Sequence, residues 1–594
     1  MTSKTLRRLA AIPLLGMVAA LLTAPTAAQA AFTPPSPTFT NAAAFDTSAP
    51  LRDIAQLAQK RLAAASLPGD GDEDGVFENP AEEVLEGREI NPVDHGNSPD
   101  GALQNHHGGG GTVPSTSANF EGLSNQDNFD QYGGRVNPPD VSGDVGPNHY
   151  VEMINLVLGV FSKTGTKLLG PVKIGDLWAG FAIDECTEPS GDPVILYDQR
   201  ADRWILTQFT TRGIDYPNEP LNLFYNCIAI STSGDPTGSY YRYAFTTGYN
   251  FPDYPKYGIW RDSYLITTRE FGILDPEIYG VGIYGLERDK MIAGNPNARA
   301  ASVLLEQHQV PINLFGDGLL PSDADGKKKP KNGPAPIIGS QDDGGPYGAT
   351  FDALNVWEFD VKWNSHPTAS VRLAAQLATA PFDSVYPCLG GGDRDCLPQP
   401  GITNTAQYLD FLNRQRILHR LAYRNLDEHE TLVANQSVEA APGVAGVRWY
   451  EIRRDKNKYR IAQQGTYAPN DGVNRWMGSI AMDRAGDIAL GYSVVNATDV
   501  FPGIRYTARR PWDPAGQMSL GEATLIDGTG VQRTTNSRWG DYTTMSIDPT
   551  DDCTFWYINE YYTLAGQISS TAGWQTRIGS FKLPNCHHGE DDDD

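Results

Sequence analysis

The chain has 594 residues and a formal net charge of −25, with 40% hydrophobic and 10% aromatic residues. An acidic surface of this strength excludes nucleic acid as a partner, because phosphate binding needs a basic face. It also argues against an unassisted grip on anionic lipid. The 61 Gly and 42 Pro suit many short strands joined by turns.

Lys4, Arg7 and Arg8 open the chain, followed by an apolar run from Leu9 to Leu22 and the small-residue site Ala28-Gln29-Ala30. This order predicts a secretory signal peptide over 1–30 and a secreted protein, extracellular or periplasmic. The run is shorter than the roughly 20 residues of a spanning helix, and no later segment approaches that length, so no membrane span is expected. Residues 31–118 read as a disordered linker or pro-region. Leu51 to Ala65 fits one amphipathic helix with Leu51, Ile54, Ala58 and Leu62 on a face and Leu57 at its edge. The acidic run GDGDEDGVFENPAEEVLEGRE and the HHGGGG that follows bury too little apolar area to fold alone. The tail 587–594 is a charged end, and the pairs His106-His107 and His587-His588 read as solvated.

The body, 119–586, repeats one unit: a strand entered through Gly, Asp or Pro, a tight turn often holding Asp, and an aromatic-rich second strand. Copies begin at Gly143, Gly191, Asp253, His419, Arg475 and Arg538, with a fainter one between Ile337 and Trp363. Recurrence at roughly 45 to 85 residues is blade-like. The expected fold is all-β: a single β-propeller with seven blades, or six if the faint copy is discounted. The turn residues Asp198, Asp483 and Asp548 read as structural. Trp204, Trp260, Trp449, Trp476, Trp539 and Trp556 read as packing between blades.

Six cysteines in an exported chain suggest disulfides, and proximity favours Cys186–Cys227, Cys388–Cys396 and Cys553–Cys586 among fifteen pairings. No cysteine pair is spaced like a zinc site. No cofactor is required by any motif, and calcium is the one candidate ion. Its oxygens would come from Asp140, Asp144 and Asn155, or from Asp548, Asp551 and Asp552.

The phrases GDVGPNHYVEMIN, GDPVILYDQRADRWILTQF, DYPKYGIW, HRLAYRN, RWMGSIAMD and RWGDYTTMSID resemble secreted bacterial propeller proteins described as hypothetical or sialidase-like (BNR-type), over about residues 135 to 586. The resemblance implies export and a propeller, and little about chemistry. No complete Ser-x-Asp-x-Gly-x-x-Trp box is present: TMSIDPTDDCTFWY keeps Ser-x-Asp without the glycine.

In a propeller the starts of the innermost strands meet at one mouth. That predicts a convergent set: Asp144 and His149, Asp192, Asp253 with Tyr254 and Lys256, His419 or His429, Arg475, and Arg538 with Asp541. As a glycoside hydrolase, Asp192 and Asp541 would flank the scissile bond, with Asp144 in reserve. As a polysaccharide lyase, Lys256, Arg475 and Arg538 would neutralise a uronate, and His149, Tyr254 or His429 would take the C5 proton. The alternative is a non-catalytic propeller that binds a polymer or a protein. The expected partner is an extracellular polysaccharide or glycoconjugate, and the expected state is monomeric. The chain holds no G-x-S-x-G, H-E-x-x-H or P-loop motif.

Overall fold

Aromatic and β-branched runs broken by Asp- and Gly-containing turns form seven blades of four antiparallel strands, the fourth and fifth joined in one sheet and the second, third and fifth extended by an added edge strand. The computed structural model describes residues 32–64, 76–78, 99–388, 394–412 and 415–587. The expected signal peptide, most of the acidic run, the glycines between Cys388 and Cys396, and the tail after 587 lie outside the described residues.

The innermost strands are Ser142–Val145, Ile195–Asp198, Asn250–Ile259, Leu320–Ala324, Leu418–Asn425, Asn474–Met482 and Thr544–Ile547, for blades 1 to 7 in chain order. Each touches the next, and the seventh touches the first, so they close a ring about one channel. The fold is a seven-bladed β-propeller. Inner strands are sheet edges, and their N–H groups need partners. Side chains of the neighbouring blade supply several. Ser142 Oγ accepts from Ile195 N at 3.0 Å and Asp144 Oδ2 from Tyr197 N at 2.7 Å. Asp323 Oδ1 accepts from Ile259 N at 3.0 Å, and Ser479 Oγ from Met545 N at 2.9 Å. Trp204, Trp449, Trp476, Trp539 and Trp556 are buried, as expected of residues packed between blades.

The faint fourth copy is displaced by one strand. Ile337 to Trp363 covers the second and third strands of blade 4, Ala335–Gln341 and Ala353–Lys362. The inner strand is the short LPSDA, which lacks the aromatic signature. It pairs with the second strand at Leu320 and Pro321 only, and then runs parallel to blade 5 from Ser322 to Ala324.

Part of the segment expected as linker is ordered and built into the sheets. Thr38–Asn41 extends the outer edge of blade 3, and Ala44–Thr47 that of blade 2. Leu103–Gln104 lies parallel to the outer strand of blade 5. The helix Leu51–Ala64 buries Leu51 and Ala55 and leaves Ile54 and Ala58 half-buried; Leu57 is exposed, and the side chain of Leu62 lies outside the described ones.

Closure uses the start of the body. Ala118–Ser124 is the fourth strand of blade 7, antiparallel to Trp574–Lys582. Glu152 of blade 1 fixes the join, accepting from Leu123 N at 2.8 Å and Thr576 Oγ1 at 2.5 Å. The three expected disulfides form. Cys553–Cys586 ties the end of the last strand to the hairpin before it. Replacing both cysteines by serine is expected to lower unfolding free energy by about 3–4 kcal/mol, the entropy of a loop this long. Denaturant midpoints of the two oxidised proteins would measure it.

Candidate functional site

At the starts of the inner strands the chain turns sharply into the channel. Asp140 and Asp192 adopt left-handed φ values of 42° and 47° there, and Tyr254 one of 51° at the bulge within Asn250–Ile259. Aspartate tolerates this conformation; tyrosine adopts it only under constraint. The turns are tied together. Asn155 Nδ2 donates to Asp140 Oδ2 at 2.6 Å, and Asn155 Oδ1 accepts from Asp192 N at 2.9 Å. Asp140 Oδ1 accepts from Asp541 N at 2.8 Å, joining blade 7 to blade 1.

A chain of alternating charges crosses this end of the channel. Asp253 Oδ2 meets Arg269 Nη1 at 3.2 Å, and Arg269 Nη2 meets Asp317 Oδ1 at 2.9 Å. Asp317 Oδ2 also receives Arg416 Nε, whose Nη1 lies 3.4 Å from Asp541 Oδ2. Arg538 Nη2 completes it at 3.1 Å from Asp541 Oδ1. All six side chains are buried. Burial alone would raise the Asp541 carboxyl; Arg538, Arg416 and Lys256 more than offset that and hold it below the usual carboxylate range.

Lys256 stands inside this frame. Its Nζ lies 3.1 Å from the centre of the Tyr254 ring and 3.3 Å from that of Tyr542. It has no hydrogen-bond partner among the described residues. Two cation–π contacts do not replace a lost hydration shell. Burial therefore drives its pKa well below the lysine range, against the pull of Asp192 and Asp541. The Tyr542 hydroxyl lies 3.1 Å from Asp192 Oδ2. The His419 ring lies 6.3 Å from that of Tyr542, tilted by 55°, with neither ring nitrogen hydrogen-bonded among the described residues. Burial, with Lys256 and Arg420 nearby, pushes its pKa well below the usual histidine value.

The structure thus brings together Asp192, Asp253, Tyr254, Lys256, His419, Arg538 and Asp541. It does not bring in the others. Asp144 is near the far end of its strand, bonded to Tyr197 N and close to Arg420. His149 opens the second strand of blade 1, half-buried at that same far end. His429 is in the turn between the first two strands of blade 5. Arg475 is clamped within blade 6 by Asp471 at 2.6 Å and Glu522 at 2.7 Å. Sequence reasoning missed Arg269, Asp317, Arg416 and Tyr542. Arg416 comes from the connection between blades 4 and 5, and Asp317 precedes the unrecognised inner strand.

This end is covered. The blade 4–5 connection lays Tyr386, Leu397, Leu409, Phe411 and Leu412 against Val141, Trp476, Met477 and Trp539 at the strand starts. It is pinned by Asp410 N to Ser537 O at 2.9 Å and Gln399 Nε2 to Gln532 O at 3.0 Å. Asp192 and Asp541 are 2% and 4% exposed beneath it.

The opposite end carries a surface cavity of about 220 Å³ among the inner-hairpin turns of blades 5 to 7 and the loop after the inner strand of blade 4. Lys327, Lys328, Arg424, Arg484, Asp551 and Asp552 line it. A recess of about 510 Å³ lies elsewhere, on the rim between blades 2 and 3 and the N-terminal strand. Neither expected calcium set forms a cage. Asp144 accepts from Val145 N and Tyr197 N while Asp140 accepts from Asn155, and Asp548, Asp551 and Asp552 are bound by Lys163, Lys582 and Arg424 at 2.8, 3.1 and 2.8 Å.

Burial pushes the carboxyls of Asp144, Glu152 and Glu270 each up to about 7. The folded state holds these protons where the unfolded chain has released them, so their contribution to stability is complete below pH ~4.5 and is lost as pH rises through 7. His419 and Lys256, whose burial lowers their pKa, act in the opposite sense, so the effect is read by difference: from pH 5 to pH 8 the unfolding free energy is expected to fall more, or rise less, in the wild type than in Glu270→Gln, by about 2 kcal/mol. Denaturant midpoints of the two proteins across that range would test it; parallel profiles would contradict it.

The chain matches no protein-family model and no curated protein sequence. Among solved structures it is similar to an α-L-arabinofuranosidase from Fusarium graminearum, with 11% identity, TM-score 0.25, and coverage of 57% of this chain and 99% of that one. The N-terminal domain of Nup159 is similar at 8% identity and TM-score 0.31, covering 81% and 99%. A polysaccharide lyase, PL25-ulvan lyase, is similar at 9% identity and TM-score 0.25, covering 78% and 80%.

Proposed function

We propose that the protein is an exported propeller that binds an extracellular polysaccharide or glycoconjugate at the end opposite the blade 4–5 connection and breaks no bond in the channel. One observation carries this reading: Asp192 and Asp541, the carboxylates suited to glycoside cleavage, lie buried under the blade 4–5 connection, with Asp541 held by two arginines. A hydrolytic pair must reach a sugar and exchange protons with it. The disulfides and the leader-like N-terminus support export.

Purified protein incubated with acidic and neutral polysaccharides is expected to be retained on at least one immobilised polymer. It is expected to release neither new reducing ends nor unsaturated sugars. A second reading, an enzyme working in the channel, draws on Lys256, a buried amine without a hydrogen-bond partner among the described residues. Product release that disappears in Lys256→Met would establish that reading in place of the first.

A further inference from the structure

Nine of the eleven tryptophans are buried and Trp363 is half-buried, but Trp512 is 65% exposed. It sits in the loop between the third and fourth strands of blade 6, Gly503–Arg509 and Glu522–Ile526. This loop leaves the blade at the end that carries the surface cavity. A Cβ on Gly486, in the inner-hairpin turn of blade 6, would lie 3.3 Å from Pro511 Cγ, and Arg484 of that same turn lines the cavity.

A rigid turn holds the indole out in water. Arg510-Pro511-Trp512-Asp513 closes a β-turn, with Asp513 N donating to Arg510 O at 3.1 Å. Proline at its second position fixes the backbone before the indole. Asp513 Oδ2 accepts from Arg510 N at 2.8 Å, and Arg509 Nη2 donates to Asp513 O at 2.9 Å. Arg510 Nη2 donates to Gly110 O at 3.0 Å, which ties the turn to the N-terminal segment. The backbone that presents the ring is therefore ordered before any ligand arrives, which lowers the entropy cost of binding. The surroundings select the ligand. Tryptophan anchors between proteins stand among near-neutral contacts that exclude water, and insertion into a membrane surface takes a whole apolar face. Among the described residues, no other exposed large apolar side chain lies in this loop or in the inner-hairpin turns of blades 5 to 7. The neighbour of the indole is instead the Arg510 guanidinium, 5.6 Å from the ring centre. A lone flat ring beside a hydrogen-bonding group matches a pyranose, which has a C–H face to pack on the indole and hydroxyls around its edge.

We propose that Trp512 is a sugar-stacking platform: a pyranose ring of the bound polysaccharide lies flat on its indole, with Arg510 beside the ring hydroxyls. The proposal rests on the binding reading above and names the residue that grips the polymer.

The test titrates the full-length protein with dextran, hydroxyethyl cellulose and polygalacturonate, all of them pyranose polymers. At least one is expected to bind, and to shield from acrylamide a fraction of the tryptophan fluorescence that is missing in Trp512→Ala. Trp512→Ala is expected to weaken that binding by about tenfold or more, and Trp512→Phe by less, because a smaller aromatic face remains. Both variants are expected to keep the wild-type melting temperature, since the indole is exposed. Binding unaltered in Trp512→Ala would overturn the platform and leave polymer binding standing. A lower melting temperature in Trp512→Ala would assign the indole to the fold and overturn the platform as well. No binding of any of the three polymers would overturn this inference and the binding reading together.

Discussion

Asp317→Ala is expected to cost about 3–5 kcal/mol of unfolding free energy, the range for leaving buried charges without their partner. Asp317 is 1% exposed and bridges two guanidiniums, Arg269 at 2.9 Å and Arg416 through its other oxygen; it also accepts from the Tyr347 hydroxyl at 3.0 Å. Removing the carboxylate leaves the two arginines facing each other in the interior with only Asp253 and Asp541 at the ends of the chain. Asp317→Asn keeps the shape and an acceptor and should lose less. Urea midpoints of the three proteins decide the matter. A loss below about 1 kcal/mol for the alanine variant would show that water solvates this end of the channel.

The second large effect concerns the closing strand. A protein beginning at residue 125 lacks Ala118–Ser124 and is expected to lose its single cooperative unfolding transition. The deletion strips blade 7 of its outer strand and uncovers Ile578, which pairs with Phe120. It also removes Leu123, fully buried in the core cluster beside Trp556 and Trp574. Burying a leucine contributes about 1.5–3 kcal/mol. In addition, Glu152 would lose the Leu123 N–H that it accepts. A protein beginning at residue 112 keeps the strand but removes the edge strands on blades 2, 3 and 5, and should melt lower while remaining cooperative. Calorimetry separates these outcomes: equal melting of the two truncated proteins would contradict a closing role.

The ring was legible because six inner hairpins share the same turn chemistry and aromatic second strand. Blade 4 was displaced because its inner strand is five residues of LPSDA, whose pairing is split between two blades. Asp192, Arg538 and Asp541 were readable together because all precede an inner strand, and Tyr254 and Lys256 because the repeated unit begins with them, at the bulge within Asn250–Ile259. Asp144 and His149 were not, since they sit past the start of a four-residue strand, by the turn at the other mouth. Successive side chains on a strand also point to opposite faces, which is why Arg475 lies along its own sheet while neighbouring Trp476 packs beside Trp539. The partners that seal the channel were out of reach for another reason. Arg269 lies on a second strand, and Arg416 lies in a connection with no repeat to place it.

Glu152 and the strand it holds also set an order of events in the life of the molecule. The segment 118–124 leaves the ribosome long before 574–582, its neighbour in the finished sheet, so the circle stays open until synthesis is nearly complete. Contacts between such distant parts of a chain form slowly. A polypeptide clipped anywhere before residue 574 would therefore be left with an unfinished wedge and an exposed sheet edge, a shape that invites pairing with another copy.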